Sequence, residues 1–205
     1  DRQRVYVVPS APGKRFEGDT KVTDMLYAYH AAVSRGESGD EIFEEIRQRF
    51  IDIRDGLGVS TDIESHLDKI AADVQAGACE DYTVSRGEYL NGLLLADYLG
   101  FDFIDPAGAI FFNANGVYES EKTRTVMRGR LRQSRTAVIP GFYGSMPDGT
   151  IKTFSRGGSD ITGAIVARAA KADVYENWTD VPGVMMADPR IVENPRVISK
   201  ITYRE

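Results

Sequence analysis

The sequence predicts an α/β protein, a layered sheet with largely parallel strands, on three observations. Short runs rich in β-formers sit at residues 5–8, 137–140 and 150–154, with Pro9, Gly141 or Gly149 beside each. Between them, apolar residues recur at helical spacing. Polar and glycine-rich clusters mark the places where strands hand over to helices, and in open α/β sheets such ends gather along one edge.

Val5-Tyr6-Val7-Val8 reads as the first strand, feeding the loop Pro9-Ser10-Ala11-Pro12-Gly13. Val22, Met25, Leu26, Tyr29 and Val33 predict a helix up to Gly36, and Ile42, Phe43, Ile46, Phe50 and Ile53 a second over about 40–55. A third is expected over 62–76. A fourth starts at Tyr82 or Ser85 and runs to Tyr98, with Gly100 as its C-cap. Residues 101–112 read as two short strands before the turn Asn113-Ala114-Asn115-Gly116. A basic helix over 119–133 precedes strands at 137–140 and 150–154, separated by a turn at Pro147-Asp148-Gly149. A helix over 158–172 and a strand over 173–178 close the pattern, with strands and helices alternating throughout. The arginines of 124–135 spread around their helix, as on a solvated face.

A chain of 205 residues can bury a substantial core, and one domain is expected. With 42% hydrophobic and 27% charged residues and no apolar run of about eighteen, the composition is that of a soluble protein. The net charge of −6 argues against a broad nucleic-acid footprint and leaves room for local basic pockets. Cys79 is the single cysteine, so no intrachain disulfide is possible, and no secretory signal pattern opens the sequence; a reducing cytoplasm is the expectation.

The strongest local signal is Ser155-Arg156-Gly157-Gly158-Ser159-Asp160, at a strand-to-helix junction. Unpaired N–H groups and the helix dipole favour an anion there. The glycines admit close approach of phosphate or carboxylate oxygens, and Arg156 offers a bidentate grip. A tight turn capped by Ser159 or Asp160 is the other reading. Three further polar clusters join it: Lys21 with Thr23, Ser85-Arg86-Gly87-Glu88, and Thr179-Asp180 with Asp188-Pro189-Arg190. They supply Arg156 and Arg190 as anion grips, carboxylates Glu88, Asp160 and Asp180, and several hydroxyls. His30, His66 and Cys79 lack metal-ligand spacing, so no protein metal cage is expected, and no serine elbow or Cys–His pair supports acyl transfer. A site that holds and aligns charges suits phosphoryl transfer.

Ser10-Ala11-Pro12-Gly13-Lys14 with Lys21-Val22-Thr23-Asp24, then Ser85-Arg86-Gly87-Glu88-Tyr89, Phe154 to Asp160, Trp178-Thr179-Asp180-Val181-Pro182-Gly183-Val184 and Ala187-Asp188-Pro189-Arg190 together resemble the aspartate kinases, in order and spacing. The resemblance spans essentially the whole chain. It implies the amino-acid kinase fold, a three-layer αβα sandwich with a mainly parallel central sheet. It also implies ATP-dependent phosphorylation of the β-carboxylate of L-aspartate, with Mg²⁺ bridging the phosphates, as the first step towards lysine, threonine and methionine. Carried over, it makes Thr23, Glu88, Arg156 and Ser159 aspartate contacts, with Glu88 on the ammonium and Arg156 on a carboxylate. Asp160, Gly157 and Gly158 fall by position to the reacting γ-phosphoryl, beside Arg156. Thr179, Asp180, Met185 and Arg190 fall to the nucleotide. For Glu88 the residues alone favour a first-turn glutamate stabilising its own helix dipole; for Asp188-Pro189 a simple turn stands beside the functional role.

Met185 stands where many members of the resembled family carry tyrosine. The family's Lys-Phe-Gly-Gly loop, a downstream nucleotide-contacting lysine and the regulatory ACT domains have no counterpart in these residues. The resemblance therefore implies a partial catalytic domain over 1–205, truncated at both ends, whose own turnover is lowered by orders of magnitude. Partners are L-aspartate and ATP, without nucleic acid or membrane, and a homodimer is compatible. The alternatives are a kinase of glutamate, acetylglutamate or carbamate, or a non-catalytic binding or assembly module.

Overall fold

The computed structural model describes residues 5–155, 157–179, 183, 185–188 and 191–198. It divides into two compact units, residues 1–175 and 176–205.

In the first unit, β1 (Tyr6–Val7) is followed by four helices, α1 (Val22–Ser34), α2 (Asp40–Leu57), α3 (Ile63–Gln75) and α4 (Glu80–Leu99). After β2 (Asp102–Phe103), a 3-10 turn (Pro106–Gly108) and α5 (Ser120–Gln133) come β3 (Ala137–Val138), β4 (Tyr143–Ser145), β5 (Ile151–Thr153) and α6 (Gly158–Ala170). β3 is the centre of a parallel three-stranded sheet of order β1-β3-β2, with Tyr6 and Asp102 both level with Ala137. β4 and β5 form an antiparallel hairpin.

Side chains alternate across the sheet, as strand geometry requires. Tyr6, Val8, Ile104, Ala137 and Ile139 face one core, with Met127 and Leu131 of α5 and Val166 and Ala169 of α6. Phe103 faces the other way, against Tyr89 of α4. Gly92 lets α4 seat on the sheet: a Cβ there would lie 2.5 Å from Pro140 Cγ and 3.2 Å from the Phe103 ring. Beyond α4 lies a second core, built from Leu26 and Tyr29 of α1, Ile46 and Phe50 of α2, Leu67 and Ile70 of α3, and Leu90 and Leu94 of α4. Helices thus cover both faces of a parallel sheet, the layered α/β architecture expected.

Several local expectations are corrected. Helices and strands do not alternate throughout, because α1 to α4 run consecutively and α4 alone takes the sheet-facing position. α4 begins at Glu80, where extended Cys79 precedes an acidic first turn that favours the helix dipole. Residues 101–112 give one strand and a 3-10 turn, with Asp105 accepting from the Ala107 N–H. β4 lacks a clear apolar signal because Gly144 occupies its centre; a Cβ there would lie 2.4 Å from the Ile110 carbonyl oxygen. Residues 173–178 form no strand; Val174 and Tyr175 are exposed, and the Tyr175 ring covers Gly163.

In the second unit, Met185 pairs with Val197 as an isolated antiparallel bridge, and the Met186 N–H donates to the Arg196 carbonyl. Among the described residues no helix is long and apolar enough to cross a membrane.

Candidate functional site

The carboxyl ends of β1 and β3 converge. The Gly141 N–H donates to the Pro9 carbonyl at 3.0 Å, and Asn91 Nδ2 of α4 donates to the Ser10 carbonyl at 2.7 Å. These ties set the post-β1 loop beside α4, where Gly87 makes room: a Cβ there would lie 2.8 Å from that of Ala11. The same loop turns into α1, so Thr23 enters from the first turn of that helix.

The N-terminus of α6 arrives from the opposite side. The β4–β5 hairpin returns the chain through a bond from the Phe154 N–H to the Phe142 carbonyl at 2.8 Å. The Thr162 hydroxyl then accepts from the Phe142 N–H and donates to the Gly158 carbonyl. Gly157 caps α6 at φ 67°, in the left-handed region that suits glycine. A Cβ on Gly141 would lie 2.4 Å from Ser159 Oγ, so that glycine lets the first turn of α6 press against the end of β3.

Between these elements lies a cavity of about 210 Å³, lined by Ser10, Thr23, Glu88, Phe142, Ser155, Gly157, Gly158, Ser159 and Asp160. Segments far apart in sequence supply its wall, as expected for ligand sites at strand carboxyl ends; of the four predicted polar clusters, the one over residues 179–190 contributes no described residue to this lining. Of the sequence-predicted residues, it brings together Thr23, Glu88, Gly157, Gly158, Ser159 and Asp160. Thr179 and Met185 belong to the second unit. Arg156, Asp180 and Arg190 lie outside the described residues.

Glu88 is the chemically unusual member. It sits mid-helix in α4, which removes the reading of a first-turn glutamate serving its own helix dipole. It is 5% exposed, and its Oε2 has no hydrogen-bond partner. Burial pushes its carboxyl up to about 7, against the opposing pull of the Glu88 and Ala11 backbone amides and the Arg86 charge. An orphaned buried carboxylate oxygen is costly, and a cationic or proton-donating ligand removes that cost.

Arg86, 6% exposed, is held differently. Its guanidinium lies 4.5, 4.7 and 5.0 Å from the ring centres of Tyr82, Tyr89 and Tyr143. It donates to the Tyr82 carbonyl and to Ser85 Oγ. Tyr143 in turn donates to Asp105 at 2.9 Å. This cage ties α4 to β4 next to the cavity.

Ser10, Ser155 and Phe142 line the cavity without having been assigned a role from sequence. Phe142 has φ 83°, a strained backbone for a bulky residue. Nothing local in Gly141-Phe142-Tyr143 announces it. A second cavity of about 250 Å³, lined by Tyr118, Arg124, Ile161 and Arg168 among others, holds none of the predicted residues.

The amino acid kinase family model matches residues 1–205. The chain belongs to the amino acid kinase family. Within this family it is 36% identical to aspartokinase 3 of Bacillus subtilis over 222 residues, covering 100% of the chain and 48% of the relative. The crystal structure of aspartate kinase from Clostridium acetobutylicum superposes with a TM-score of 0.93 at 50% identity, over 100% of this chain and 47% of that one. Aspartokinase III of E. coli in complex with aspartate and ADP gives a TM-score of 0.76 at 27% identity, over 95% of this chain and 46% of that one. This amino acid kinase chain therefore spans about half the length of the relatives it matches.

Proposed function

We propose that the protein carrying this chain phosphorylates the β-carboxylate of L-aspartate from ATP, giving 4-phospho-L-aspartate and ADP at the head of lysine, threonine and methionine synthesis. Residues 1–205 are read as part of its catalytic domain and the cytoplasm as its setting. The similarity to aspartate kinases over the full chain supports this reading. The observation that carries it is the buried, unpartnered Oε2 of Glu88, a residue that lines one cavity with Thr23, Ser159 and the start of α6.

A small zwitterion satisfies both ends of that cavity. Glu88 takes the ammonium, the group its desolvated carboxylate is best suited to pair with. The Thr23 and Ser159 hydroxyls fix orientation, and Arg156, by its place in the motif, clamps a carboxylate. The Gly157 and Gly158 amides and the α6 dipole favour negative charge where the γ-phosphoryl would lie, with Asp160 beside them. ATP with Mg²⁺ would supply the phosphoryl group and neutralise its charge. Thr179, Asp180, Met185 and Arg190 are assigned to the nucleotide by the same motif order. Acetylglutamate and carbamate offer no ammonium to Glu88, which favours aspartate or glutamate over them.

Calorimetry of this chain with L-aspartate, L-glutamate and N-acetyl-L-glutamate tests the substrate assignment. Hydroxylamine trapping of acyl phosphate, in protein carrying the chain at its relatives' full length, tests turnover. Preference for aspartate with trapped aspartyl phosphate is the expected result. Glutamate preference would reassign the substrate, and aspartate binding without acyl phosphate would favour a binding module.

A further inference from the structure

The loop between β1 and α1 contributes Ser10, the Ala11 amide and Thr23 to the site, yet between Gly13 and Thr20 it makes an exposed excursion. Both ends of that excursion are held by one side chain, Arg49 of α2. Its Nη1 donates to the Gly13 carbonyl at 3.0 Å, and its Nη2 donates to the Thr20 carbonyl at 3.2 Å and to both Asp19 oxygens at 2.9 Å. Asp19 also accepts from the Arg15 backbone N–H at 2.9 Å and from Arg15 Nε at 3.0 Å. Inside the clasp, the Val22 N–H closes onto the Pro12 carbonyl at 3.3 Å.

Among the described residues, Arg49 and Asp19 form the one ion pair with both side chains under one-tenth exposed, at 4% and 8%. Stability alone does not call for such a pair, because well-packed apolar residues often replace a buried ion pair without loss. What they do not replace is the geometry: a planar guanidinium ties two backbone carbonyls and a carboxylate at once. Thr20 is next to the α1 N-cap, Lys21, and Thr23 lies in the first turn that follows.

We propose that Arg49 is a positioning residue for the cavity, fixing the loop of residues 9–23 so that Ser10, the Ala11 amide and Thr23 stand against Glu88. It touches no ligand itself. The ligand half of the test rests on the aspartate reading; the backbone half does not.

Amide hydrogen exchange and aspartate calorimetry on this chain test it, with Arg49→Lys and the double substitution Arg49→Met with Asp19→Leu. The lysine variant keeps the charge but not the fork, and the apolar pair keeps the fold if the lysine variant does not. In a folded variant, exchange at Ala11 and over 13–23 is expected to rise about tenfold or more while α3 amides keep their wild-type rates. Aspartate affinity is expected to fall about tenfold. Unchanged loop exchange, or an equal rise in α3, overturns the proposal, the latter because it marks a general loss of stability. Should the unmodified chain bind no aspartate, the substrate reading fails and the exchange result alone decides the clasp.

Discussion

The core enclosed by α1–α4 and the core between the sheet, α5 and α6 are both filled with Leu, Ile, Val and aromatic side chains, but they treat polar groups differently. On the elements of the second, the buried polar side chains are hydroxyls, each used on backbone. Thr123 accepts from the Phe111 N–H, Ser145 donates to the Ala107 carbonyl, and Thr162 bridges Phe142 and Gly158. On the elements of the first, α2 and α4 carry three buried charged residues, Arg49, Arg86 and Glu88. Two of these have partners, one in backbone carbonyls and Asp19, the other in Ser85, the Tyr82 carbonyl and three tyrosine rings. Only Glu88, a residue that lines the cavity, has an oxygen left over. The difference teaches that one core holds the sheet together and the other holds charges in place beside a site.

Breaking that contrast should cost most at the orphaned carboxylate. Glu88→Ala is expected to weaken aspartate binding about a hundredfold or more, since it removes one partner of a desolvated charge pair; calorimetry against the unmodified chain reads it. An effect under threefold would remove Glu88 from the ligand.

The apolar core should answer in stability and not in binding. Met127→Ala leaves a void in α5 and is expected to cost about 2–5 kcal/mol in urea denaturation, with aspartate affinity per folded molecule unchanged.

The pH dependence of stability sharpens the comparison further. Burial raises the Glu88 carboxyl to about 7, so the folded state favours its neutral form. Its stabilising contribution is then complete below the ordinary glutamate range and is lost as pH rises through about 7. Glu88→Gln should therefore gain on the unmodified protein between pH 4.5 and 8, by on the order of 3 kcal/mol. Denaturation of both proteins at the two pH values measures it, and parallel curves would refute it.

Ligand binding carries the opposite sign. An ammonium pairs with ionised Glu88, so aspartate affinity should rise about tenfold from pH 6 to pH 8, with proton release on binding visible as a buffer-dependent heat. The smallest effect is expected at Thr23→Val, a severalfold loss in affinity, about 0.5–1.5 kcal/mol for one hydrogen bond.

Much of this contrast is written locally. The i, i+3, i+4 pattern of Val22, Met25, Leu26 and Tyr29 produced α1, and Ile63, Leu67, Ile70 and Val74 bury as one stripe of α3. The turn at 155–160 does open a helix, and Thr23, Glu88 and Ser159 do line one cavity. The strand over 173–178 failed because apolar alternation does not say whether a neighbouring strand is there to pair with. β4 stayed hidden because its central glycine answers to the Ile110 backbone, a contact with no local trace. Arg49 gave no sign either: within α2 it is one more charged residue among several.

By itself the sequence determined the periodicities, the anion-favouring glycine turn and the set of polar residues available for chemistry, because these depend on residue type and spacing along the chain. Only the tertiary structure decided which of them share a wall, that Glu88 is buried with one oxygen unpaired, and that Arg49 reaches across from α2 to hold the loop. Burial and partnership are properties of packing between distant segments, and desolvation, which sets the Glu88 proton affinity, exists only once that packing has excluded water.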